Sequence, residues 1–129
     1  MQKLSVAAMA SVVAFFASTA AVAQGAVLPA KLKGKWHWPM KNESNEFALS
    51  DIKSTGPQSA TAKLTWYIGY RPCILRDVPV ELKVGEKNIV FEATNSCFSI
   101  EADLAKDGGT WKGTAAVKDG SSMTLSASE

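Results

Sequence analysis

Beyond position 35 the apolar residues fall at every second position, in short runs cut by turn-forming residues. A period of two sends alternate side chains to opposite faces of an extended chain, which is the pattern of a strand buried on one face. Ala60, Ala62, Leu64, Trp66 and Ile68 share one face, with Thr61, Lys63, Thr65 and Tyr67 on the other. Val78, Val80, Leu82 and Val84 alternate with Pro79, Glu81 and Lys83; Ile89, Phe91 and Ala93 follow after the turn Gly85-Glu86-Lys87-Asn88. Phe98, Ile100, Ala102 and Leu104 continue the pattern as far as Asp107-Gly108-Gly109, whose residues tolerate the positive φ of a hairpin turn. Trp111, Gly113, Ala115 and Val117 come next, and Asp119-Gly120 repeats the turn before Met123, Leu125 and Ala127. At the front, Trp36 and Trp38 share a face up to Pro39, and Phe47, Leu49 and Ile52 mark a strand after the polar Lys41 to Asn45 turn. The pattern therefore predicts eight strands and, after the leader, no helix.

Short connections make consecutive strands antiparallel neighbours in an up-and-down order. Such a meander leaves unpaired edges unless it closes or folds into two sheets. The expected fold is an all-β, eight-stranded antiparallel barrel, with a two-sheet sandwich as the alternative. Pro79 has no N–H to give to a ladder, so its strand is at an edge there or begins with a bulge. Many inward positions are small (Ala60, Ala62, Ala93, Ala102, Gly113, Ala115). They either fill the taper of a packed barrel or leave room for a ligand, and a filled core is expected because a domain this short has little apolar area to give up. The run Ala60 to Ile68, if it formed an edge, would permit strand-to-strand pairing, so the chain is expected to be a monomer or weak dimer.

The first residues follow a different pattern. Lys3 precedes an apolar run from Leu4 to Ala17, and Ala21-Val22-Ala23 offers small residues ahead of Gln24. This is the layout of a secretory signal peptide, and the run is shorter than the roughly 20 apolar residues that cross a bilayer. The predicted division is a signal peptide over 1–23, a flexible lead-in over 24–33 and a single barrel domain over 34–129. The mature protein is then periplasmic or secreted and free of the membrane. Export leads to an oxidising compartment, where the only two cysteines, Cys73 and Cys97, are expected to pair. With 14 basic and 12 acidic side chains, and Lys3 lost with the leader, the chain has no electrostatic footprint for nucleic acid.

Leu32-Lys33-Gly34-Lys35-Trp36, at the head of the first strand of an up-and-down barrel, resembles the Gly-x-Trp opening of the calycin group, which includes lipocalins and avidins. The resemblance implies that Trp36 packs across the closed end of the barrel as a structural residue and that the opposite end holds a ligand. In size, export signal and single disulfide the chain is also similar to the small periplasmic barrels that inhibit secreted metalloproteases.

Candidate catalytic groups are few. His37 is the single histidine and no spacing sets it beside a nucleophile and an orienting carboxylate. Glu101 and Asp103 alternate with Phe98, Ile100 and Leu104 as the solvated face of a strand does. Two cysteines and one histidine fall short of a zinc ligand set. No metal or cofactor is expected. Recognition is the remaining class: Tyr67, Tyr70, Arg71 and Arg76 surround Pro72 and Cys73 where the alternation breaks, and Tyr and Arg carry interface energy efficiently. Trp38, one pleat beyond Trp36, is a candidate rim aromatic. The predicted function is an exported, non-enzymatic binding module that takes a protein or small-molecule partner through these residues. The alternative is a small periplasmic protease inhibitor whose lead-in, Ala26 to Lys33, enters an enzyme cleft.

Overall fold

A computed structural model describes residues 28–129; the predicted signal peptide and the first part of the lead-in lie outside the described residues. The strands are β1 (Leu32–Trp38), β2 (Glu43–Gly56), β3 (Ser59–Trp66), β4 (Leu75–Val84), β5 (Asn88–Thr94), β6 (Ser99–Asp107), β7 (Thr110–Val117) and β8 (Ser122–Ser128). They form a closed antiparallel barrel in sequence order. Closure comes from β1 pairing with β8, Lys33 opposite Ser128 through His37 opposite Thr124. That pairing removes both outer edges of the meander and decides for the barrel against the sandwich.

Gly34 permits this closure. A Cβ there would collide with the Ser126 carbonyl oxygen and lie 2.7 Å from the Ala127 Cβ, so only glycine lets β8 come this close. The strand starts inside the stretch expected to be a lead-in. Leu32 is fully buried, and the Ile52 N–H donates to the Ala30 carbonyl at 3.0 Å.

Bulges adjust the period of two. Ser50 lies opposite Lys63 but Lys53 lies opposite Thr61, so β2 carries an extra residue. Asp51, at φ 52°, lies within it and rotates the following side chain inward, which is why the buried set runs Phe47, Leu49, Ile52. In β4, Val78 faces Leu64 and Leu75 faces Trp66, with Asp77 at φ 49° in the extra position. The β4–β5 ladder is short, with Lys83 opposite Val90 and Val84 opposite Ile89 and no pair toward the other end of the strands. The Gly85 N–H donates to the Asn88 carbonyl, so by alternation the backbone of residues 83, 81 and 79 also faces β5. Pro79 thus turns its donorless nitrogen to the one stretch of wall without a ladder. Both devices anticipated for Pro79 are present, an edge beside it and a bulge before it. By contrast β3 is paired on both sides, so the Ala60 to Ile68 run offers no free edge. β3 itself ends at Trp66, and Ile68 packs on the core from beyond the strand.

Side chains fill the interior. Trp36, Trp66, Trp111, Phe47 and Phe91 are the largest fully buried ones, and among the described residues no polar or charged side chain is buried. Each large apolar side chain buried this way stabilises the fold by about 1.5 to 3 kcal/mol.

Candidate functional site

Strand polarity sends the connections 39–42, 67–74, 95–98 and 118–121 to one end of the barrel. Beneath them lies an aromatic stack. Trp66 sits between Trp36 and Phe47, with ring centroids 5.9 and 5.2 Å away, and Phe98 packs on it at 6.1 Å. Trp36 Nε1 donates to the Tyr67 carbonyl at 2.9 Å, so it also anchors the start of the longest of these loops. Trp36 is buried under the loop end of the barrel.

The loops are fixed by covalent and polar links. Cys73 and Cys97 form a disulfide with Cα atoms 5.9 Å apart, tying 67–74 to 95–98. Asn95 reinforces it: its Nδ2 donates to the Cys73 carbonyl, while its Oδ1 accepts from the N–H groups of Cys97 at 2.8 Å and Phe98 at 2.9 Å. A short 3-10 turn, Arg71–Cys73, shapes the tip. Gly69 lies near Glu43, its Cβ position 3.7 Å from the Glu43 carboxylate, so loop 67–74 borders loop 39–42.

The predicted binding residues separate into three places. Tyr70 and Arg71 are exposed at the loop tip. Tyr67, the first residue of that loop, and Arg76, near the start of β4, engage each other, with the guanidinium 5.9 Å from the ring centroid. Trp38 is buried. Its Nε1 donates to Ser121 Oγ at 2.9 Å, and Lys41 Nζ lies 5.5 Å from its ring centroid. Trp38 still lines a cleft of about 490 Å³ with Lys41, Asn95, Cys97, Phe98 and Lys118. Asp119 holds that cleft's edge. The Ser121 hydroxyl and backbone N–H both donate to its carboxylate, and with Lys41 nearby they hold its pKa below the ordinary carboxylate value, favouring the ionised form.

Sequence reasoning missed Met40 and Asn95. Met40 follows Pro39 at the β1–β2 turn, where an apolar residue has no inward strand position to occupy. Asn95-Ser96 is an Asx-turn signal between two strands and could have flagged the clamp. The other candidates stay apart from this end or from each other. His37 lies on the outer face with Nδ1 2.6 Å from Ser44 Oγ, and Asp103 accepts from Asn88 Nδ2 at 3.0 Å beside an exposed Glu101. Among the described residues no group of His, Cys, Asp and Glu is placed to hold a metal ion.

No family model and no curated protein matches the sequence. Among solved structures, one described as a redesigned beta barrel is similar to the chain. It aligns over 85% of this chain and 94% of its own with a TM-score of 0.60 and 13% identity. That similarity shows the fold alone, an eight-stranded antiparallel barrel.

Proposed function

We propose that the protein is an exported binding module that captures a partner through the loop end of the barrel, with Tyr70, Arg71 and Met40 as its contact residues. One observation carries this reading: the exposed large hydrophobics among the described residues are Met40 at 62% and Tyr70 at 65%, and they lie on adjoining loops at the same end. Water-facing aromatic and thioether groups beside a guanidinium are the residue types that contribute most per contact at interfaces. The disulfide and the Asn95 clamp support the reading, because a pre-ordered loop loses little entropy on binding. The disulfide is also what an oxidising, exported location allows. The calycin resemblance implied a ligand at the end opposite Trp36; the contact surface proposed here is instead the outside of the loops, since the aromatic stack lies directly under them.

The test is capture from the protein's own exported fraction. Tyr70→Ala with Arg71→Ala should abolish capture while changing unfolding free energy by no more than about 0.5 kcal/mol, the usual size for exposed positions. Undiminished capture by a folded double variant removes this loop from the reading.

A further inference from the structure

The two halves of the disulfide differ sharply in access. Cys73 is completely buried, whereas Cys97 is exposed at the tip of loop 95–98. The bridge also sits at a special place in the wall. It joins the start of β4 to the end of β5, the stretch where these strands share no ladder, so parting the sulfurs breaks no backbone pair between them. β4 remains held by β3 and β5 by β6, through Leu75 opposite Trp66 and Thr94 opposite Ser99. Asn95 then links the two loops without sulfur, its Nδ2 donating to the Cys73 carbonyl, while the Cys97 and Phe98 amides donate to its Oδ1 and fix the side chain within its own loop.

We propose that Cys73–Cys97 is an exchangeable latch, a reversible dithiol–disulfide couple in the folded barrel, whose co-reactant is a dithiol and whose point of attack is Cys97 Sγ. The thiolate of the dithiol bonds to Cys97 Sγ, and the Cys73 sulfur leaves with the electron pair of the old bond and takes up a proton. The reagent's second thiol then displaces Cys97 from the mixed disulfide. Two electrons and two protons pass to the cysteines and the dithiol becomes a disulfide. Attack follows access, and the buried sulfur is the leaving group. Asn95 holds the freed thiols as neighbours, so re-oxidation is intramolecular and fast. The proposal does not depend on the recognition reading.

Dithiothreitol is added to the protein in native buffer, and samples are alkylated at intervals and weighed by mass spectrometry. Reduction should proceed on the order of tenfold or more faster than global unfolding in the same buffer, with the barrel's far-ultraviolet circular dichroism retained. Reduction at the unfolding rate overturns the proposal. With glutathione as a monothiol, the trapped adduct should map to Cys97, and an adduct on Cys73 refutes the direction of attack. In a glutathione redox buffer, Asn95→Ala should lower the effective concentration of the thiol pair about tenfold, the effect of losing the one hydrogen bond that crosses between the loops, Asn95 Nδ2 to the Cys73 carbonyl; no change removes the clamp. Should that variant fail to fold, Asn95→Asp keeps the acceptor for the Cys97 and Phe98 amides, loses the donor to Cys73, and is expected to shift the couple in the same direction.

Discussion

The tryptophans show how one residue type is used in different ways inside the same core. Trp36, Trp38 and Trp111 each place their N–H on an acceptor: the Tyr67 carbonyl, the Ser121 hydroxyl and, at 3.2 Å, the Glu129 carboxylate. Trp66 does not. Its Nε1 is buried with no protein partner among the described residues, in the middle of the aromatic stack. A buried donor left unmet costs about 1 to 3 kcal/mol, so Trp66 is kept for its ring area against that cost. Phenylalanine at either position loses comparable ring volume, but at Trp66 it also removes the unmet donor, whereas at Trp36 it removes a satisfied bond. Trp36→Phe is therefore expected to destabilise by about 1 to 2 kcal/mol more than Trp66→Phe, read from urea unfolding curves. The binding candidates behave with similar individuality. Exposed Tyr70 and buried Trp38 come from equally suggestive positions, and burial depends on neighbours from strands distant in sequence.

Among the elements, β4 shows most clearly where alternation is legible and where it is not. Val78, Val80, Leu82 and Val84 read as one face and lie on one face; Leu75 is out of phase and still packs on the core. The bulge reconciles them. Asp77 takes a left-handed conformation there, and its N–H donates to Thr65 Oγ1 at 3.1 Å. Asp tolerates that backbone and glycine adopts it freely, while a β-branched residue does not. Asp77→Gly should leave stability within about 1 kcal/mol of the parent, and Asp77→Val should lower it by roughly 1 to 3 kcal/mol, both measured by thermal unfolding. The opposite order would mean that the bulge does not set the register of β4. Bulges are hard to see in sequence because one inserted residue merely shifts the phase of an otherwise regular pattern, and Asp51 and Asp77 carry no glycine to mark it.

For the whole molecule, closure is the cooperative step, and it depends on β1 meeting β8 across Gly34. Gly34→Val places a branched side chain against the Ser126 carbonyl and the Ala127 Cβ, in a backbone approach that cannot relax without parting the strands. Several kcal/mol of lost stability is expected, on the scale of severe overpacking, with self-association through the released edges detectable by size-exclusion chromatography. A closed, monodisperse Gly34→Val barrel of parental stability would show that β1 and β8 can join without that contact.

The sequence by itself determined the all-β class, the number and order of strands, the alternation of faces in the stretches between bulges, and the one possible disulfide, because these depend on periodicity, turn chemistry and the presence of only two cysteines. Only the tertiary structure decided that the sheet closes through β1 and β8, that the β4–β5 ladder covers only one end of those strands, that Trp38 is covered while Met40 is bare, and that Asn95 links two loops. Those facts rest on contacts between segments far apart in the chain, and a local pattern of hydrophobic and polar residues carries no information on which distant segment will arrive.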